Sequence, residues 1–184
     1  AYEMSASLVG SEMCIRDSGY KIVEEGLCGR TTIFEDELRD NRRGIDMLPA
    51  LLESHSPIDY VILMLGTNDC KTYYNASAGL IGKGIEKLIS QIKKYDSSLD
   101  ILLMSPIVLG DDVWKPEFDP EFNKNSVKTS HKLKDVYKKI ADKYGCHFLA
   151  ASDVSSYSTD DMEHMDASGH RHLADAILDL GLFA

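Results

Sequence analysis

Val61–Asp69 reads VILMLGTND, an apolar run that stops in a polar turn. From Tyr60 to Leu65 every residue is apolar or aromatic. With no polar alternation, this is the pattern of a strand covered on both faces. Gly66 lets the chain turn, and Asn68 then presents an amide at the carboxyl end of the strand. In open α/β sheets this edge is where ligands bind. A plainer reading has Asn68 and Asp69 closing an Asx-turn, so the rest of the chain has to decide.

Working outward, strands and helices alternate. Lys21–Glu24 is a short strand candidate, Ile58–Leu65 the clearest, Asp100–Ser105 (DILLMS) a third and Cys146–Leu149 a fourth. Helical patterns fall between them at Ile45–Ser54, Leu80–Tyr95, Ser126–Tyr144 and Ala167–Leu180. In the second of these, Ile81, Ile85, Leu88, Ile89 and Ile92 recur every three or four residues and make one apolar helix face. In the last, Leu173, Ala174, Ile177 and Leu178 do the same, with Asp166 or Ser168 placed to cap the first turn. Such alternation predicts βαβ units, a parallel sheet and a three-layer sandwich.

Leu109–Asn125 (LGDDVWKPEFDPEFNKN) interrupts this order with a long connection at the same sheet edge. It carries Trp114, the one Trp of the chain, with Phe118 and Phe122. A loop of this length in a compact domain is a lid, a binding loop or a contact surface, or an ordinary surface loop with its aromatics tucked down.

Two further segments carry chemistry. Asp161-Met162-Glu163-His164 sets a carboxylate three residues ahead of an imidazole. That spacing allows Asp161 to hold Nδ1–H and leave Nε2 of His164 as a general base, although Asp-x-x-His also occurs as a structural pair. Glu25–Thr32 (EGLCGRTT) follows the first strand candidate, and its glycines permit a tight turn with exposed N–H groups. A backbone N–H there and the Asn68 amide together suit one developing oxyanion. His170 and His172 invite a metal reading around His164. Two apart at a helix start, they face different directions, and no well-placed third ligand accompanies them, so no metal is expected.

In this order and spacing, EEGLCGRTT, VILMLGTND and DMEH followed by Gly169-His170 resemble the GDSL or SGNH hydrolase family, most of all its arylesterase and acyltransferase branch. The resemblance runs from Gly19 to about Leu180. It implies a flavodoxin-like α/β/α sandwich and a serine esterase or acyltransferase acting on small carboxylic esters without a cofactor. It assigns Gly29 and Asn68 to the oxyanion hole and Asp161 and His164 to the catalytic acid and base. Trp114 and Phe118 are then expected to shape the substrate pocket.

The family's first block, a Gly-Asp-Ser-Leu-like turn with the nucleophilic serine, has no counterpart ahead of Glu25. Ser5–Ser18 (SASLVGSEMCIRDS) resembles a translated sequencing-adapter read, so residues 1–18 are expected to be non-family and 19–184 a truncated hydrolase domain with its first strand missing or replaced. Asp17-Ser18-Gly19 imitates the serine block. Yet Ser18 leads straight into the Tyr20–Val23 strand, which would hold it about 10 Å or more from the opposite, active end. Little esterase activity is therefore expected. A non-catalytic α/β binding module using the same cleft, or a metal-dependent hydrolase around His164, His170 and His172, are the competing readings.

Composition bounds the partners. The 184 residues suit one domain. A net charge of −10 and a pI near 5.0 argue against nucleic acid, which calls for a basic stripe. No apolar run reaches the length of about 20 residues that spans a bilayer. Cys14, Cys28, Cys70 and Cys146 lack C-x-x-C spacing and read as reduced thiols, which favours the cytoplasm. Assembly with further copies of the chain is left open.

Overall fold

The computed structural model describes residues 21–182. Three parallel strands, β1 (Tyr60–Leu63), β2 (Asp100–Ser105) and β3 (His147–Ala150), lie in the order β1-β2-β3. Tyr60 stands opposite Asp100, Leu63 opposite Leu103, and Ser105 opposite Ala150. Among the described residues four α-helices accompany them: α1 (Gly44–Ser54), α2 (Ala78–Tyr95), α3 (Lys124–Tyr144) and α4 (Ala167–Asp179).

The unbroken apolar stretch in β2 follows from its position between two helical layers. Ile101 and Leu103 face one way, joining Ile81, Ile85, Leu88, Ile89 and Ile92 of α2 and Leu133 and Tyr137 of α3. Leu102 and Met104 face the other way and join Leu173, Ala174 and Ile177 of α4. Side chains alternate along a strand, so a strand covered twice shows no polar alternation. The result is a small parallel sheet in a three-layer α/β/α sandwich.

Helix boundaries are set by caps. The Ser77 hydroxyl accepts from Leu80 N–H and starts α2 at Ala78, two residues before the expected Leu80. Asn123 and Ser126 form a reciprocal capping box that starts α3 at Lys124. Asp166 accepts from Gly169 N–H at 2.7 Å, so of the two capping candidates it is Asp166 that serves. At α1 no side chain caps Arg43. Instead the carbonyls of Thr31 and Thr32 accept from Gly44 and Ile45 N–H, which ties the Thr31–Thr32 segment to the head of that helix.

The strands differ from expectation in three places. Lys21–Glu24 forms no strand among the described residues and is largely exposed. β1 is Tyr60–Leu63 rather than Ile58–Leu65, because its ladder with β2 spans only those residues. β3 begins at His147, one residue late, since Cys146 N–H is used on Ala141 O to close α3. The adapter-like segment, the Gly19 boundary, the Ser18 alternative and any replaced first strand lie outside the described residues. Among the described residues no helix is long and apolar enough to cross a membrane.

Candidate active site

The carboxyl end of β1 leads into a turn that only glycine can make. Gly66 has φ +129°, and a Cβ there would run into the Tyr137 hydroxyl. That hydroxyl, buried with its ring under the sheet, donates to Leu65 O at 2.7 Å. Asn68–Cys70 then forms one turn of 3₁₀ helix. Cys70 and Lys71 N–H donate to Thr67 and Asn68 O, so the backbone carbonyls close this turn. The Asp69 carboxylate reaches across to Thr32.

Asn68 Nδ2 donates to Arg30 O at 3.3 Å, and its second N–H is left for another acceptor. The Arg30 carbonyl belongs to the glycine loop. There Leu27 O accepts from Arg30 N–H at 3.0 Å, and Gly29 has φ +77°. This is a β-turn with glycine at the one position that requires a positive φ. Gly29 is buried, and among the described residues nothing accepts from its N–H.

Across the cleft, Asp161 Oδ2 lies 2.7 Å from His164 Nδ1. Its other oxygen accepts from the backbone N–H groups of Glu163 (2.9 Å) and His164 (2.8 Å). Burial alone would raise the Asp161 carboxyl, but these bonds outweigh it and hold the group below the usual carboxylate range. Met162, at the middle of the turn, has φ +63°. Gly29, Asn68, Phe118, Asp161 and His164 all line one open cleft.

Trp114 is placed elsewhere. Its indole packs against the core beneath α3, donates from Nε1 to Asp111 O at 2.8 Å and lies under the Lys124 ammonium. The long connection is nevertheless no loose surface loop. Leu109, Val113 and Phe122 are buried. Gly110 N–H donates to Met162 O and Thr72 N–H to Glu121 O, each at 2.8 Å. The loop thus ties the Asp161–His164 turn to the chain just beyond Asn68.

Three charged groups at the site escaped the sequence reading. Lys71 is buried and pairs with Glu121. Glu163 lines the cleft, and its carboxyl is raised by burial, with His164 opposing and Asp119 adding to the rise. Asp69 is wholly buried, its carboxyl pushed up to about 6 by desolvation. Asp69 and Glu163 stood inside the GTND and DMEH motifs without a role read for them, whereas Lys71 acquires its partner from a segment distant in sequence. His170 is buried and its imidazole lowered, first by burial and then by His164, whereas His172 is exposed. Among the described residues no three His, Cys, Asp or Glu side chains form a group able to hold a metal ion.

The sequence profile of the GDSL-like lipase/acylhydrolase family matches residues 6–177. The chain belongs to that family. Among solved structures of similar shape, Est24, a carbohydrate acetylesterase from Sinorhizobium meliloti, is 32% identical; the match covers 96% of this chain and 84% of that one, with a TM-score of 0.84. The inhibitor-bound aryl esterase of M. smegmatis is 27% identical, with 98% and 88% covered and a TM-score of 0.87. No curated protein matches by sequence. Membership of the GDSL-like family agrees with the three-layer sandwich and makes an esterase the class of activity to expect.

Proposed function

We propose that this GDSL-like fold carries the machinery of a serine esterase or acyltransferase for small carboxylic esters. The observation that carries the reading is the Asp161–His164 pair, held at 2.7 Å on the same cleft as Gly29 and Asn68. In this reading Nε2 of His164 takes the proton of a serine as it attacks the ester carbonyl. Asp161, fixed by two backbone amides, keeps Nδ1–H pointed at itself and stabilises the imidazolium. Gly29 N–H and the Asn68 amide receive the oxyanion of the tetrahedral intermediate. Phe118 borders the acyl or alcohol group. The likeness to a carbohydrate acetylesterase favours an acetyl ester, and the unbridged Cys28, Cys70 and Cys146 favour a reducing compartment.

The second reading is a binding module that uses the same cleft without turnover. The test replaces residues 1–18 with a family-type strand and Gly-Asp-Ser-Leu-like turn. Hydrolysis of p-nitrophenyl acetate, labelling by a serine-directed phosphonate, and loss of both in a His164→Ala variant are expected. No hydrolysis from the folded protein would leave the binding module. The chain as it stands should hydrolyse the ester poorly; robust turnover that disappears in Ser18→Ala would overturn that expectation and assign Ser18 as nucleophile.

A further inference from the structure

We propose that Asp69 is a positioning residue that holds the two oxyanion donors, Gly29 N–H and the Asn68 amide, in register with each other. This rests on the oxyanion roles given to those residues above and adds the group that sets their geometry.

The two donors come from segments far apart in the chain, and both must point at one atom. An oxyanion hole works only while its donors are fixed before charge develops. Direct contact between the segments is slight: the Asn68 amide meets Arg30 O at 3.3 Å. The stronger connection is Asp69, adjacent to Asn68. Its carboxylate accepts Thr32 N–H on both oxygens, at 3.0 and 3.1 Å, and also the Thr32 hydroxyl. Thr32 lies three residues beyond Gly29 and is itself fully buried.

Thr32 in turn has nowhere to move. Its carbonyl accepts from Ile45 N–H at the head of α1. On its other side α2 approaches so closely that a Cβ at Gly84 would overlap the Thr32 hydroxyl. The Gly29–Thr32 segment is therefore anchored to two helices, and Asp69 is what joins the Asn68 turn to it. A neutral group would fill this site at lower cost, because a buried carboxylate without a counter-ion is destabilising. Among the described residues no cation pairs with Asp69. Thr32 brings two donors, an N–H shared between both oxygens and a hydroxyl; a carboxylate presents two acceptor oxygens where an amide presents one, and that is what the register of the two segments requires.

The ionisable groups that face Asp69 are Cys70 beside it, Tyr74 in the following turn and Tyr137 from α3. All three are pushed upward by burial, Tyr74 to about 12, so none changes charge where Asp69 does. The shifted groups of the site that have to be separated from it, Glu163 and His170, both lie within electrostatic reach of His164.

The experiment follows the Gly29 backbone amide and the Asn68 side-chain amide of ¹⁵N-labelled protein through a pH titration. Both signals should move together with one midpoint near 6, keep that midpoint in His164→Gln and lose it in Asp69→Asn. Thr32→Val should displace both signals, and Thr32→Ser should restore them; this pair carries the test where Asp69→Asn does not fold. Signals that respond to Thr32 or His164 but not to Asp69→Asn would overturn the proposal and leave Asp69 a brace of the fold. The esterase reading fails separately. If Asn68→Ala leaves ester turnover of a serine-bearing chain unchanged while the titration behaves as stated, the oxyanion roles are wrong and the register stands.

Discussion

Asp161 turns both carboxylate oxygens to a single purpose: Oδ2 lies 2.7 Å from His164 Nδ1, while Oδ1 is held by the backbone amides of residues 163 and 164. The carboxylate is thus fixed by the same short turn that carries the imidazole. An Asp161→Asn exchange keeps the shape but removes the charge and offers Nδ1 the wrong partner. In a serine-bearing chain, kcat for p-nitrophenyl acetate should fall on the order of 10³- to 10⁴-fold. The Asp161 carboxyl is depressed in the fold, so its contribution to stability is present above the unfolded value of about 3.9 and is lost as pH falls through the lower folded value. Urea unfolding of Asp161→Asn should accordingly lack part of the wild-type loss below pH 4.

Asn68→Ala should act on the transition state rather than on substrate binding. One oxyanion donor removed costs about 10²- to 10³-fold in kcat with KM little altered. Steady-state kinetics of the serine-bearing chain measure both, and an equal rise in KM with kcat unchanged would show that Asn68 only binds the ground state.

Asp69 has the opposite linkage from Asp161. Its carboxyl is raised to about 6 by burial, so the fold prefers it protonated. That preference adds stability fully below the unfolded value and loses it as pH rises through about 6. The difference between the folded and unfolded carboxyl is worth about 3 kcal/mol. Denaturant unfolding from pH 4 to 7 should show this loss in wild type and a flatter profile in Asp69→Asn. A profile unchanged by the substitution would show that the buried carboxyl titrates normally.

Lys71 and Glu121 hold the long loop against the Asn68 turn, and the two partners are unequally exposed: 8% for the lysine side chain and 51% for the glutamate. Glu121→Ala strands a buried ammonium, whereas Lys71→Met leaves a carboxylate that water can reach. Glu121→Ala should therefore be the more destabilising, by about 1–2 kcal/mol, and Lys71→Met should restore part of the loss when the two are combined. Thermal unfolding of the two variants and the double variant checks the order.

The strands and helices were legible because each is written locally. The face of α2 from Ile81 to Ile92 repeats at the helical period, and DILLMS is buried on both sides of β2, with boundaries that match to the residue. Ends were less legible, since Ser77, Asn123 and Cys146 act through a few local hydrogen bonds that leave no period. Lys21–Glu24 marks where local pattern stops deciding: Ile22 and Val23 have the composition of a strand, but a ladder partner decides whether they form one.

The candidate site divides the same way. Asn68, Asp161 and His164 stood out as local patterns, a strand-end amide and an acid three residues from a histidine, while Gly29 was singled out from its loop by the family resemblance. Trp114 was expected at the pocket because its long loop leaves the active edge of the sheet, and the structure sets it against the core with Lys124 over its ring. The buried charges of Asp69 and Lys71 were decided only in three dimensions. Their partners, Thr32 and Glu121, stand 37 and 50 residues away. Desolvation and pairing belong to the space around a side chain, and periodicity along a chain does not encode that space.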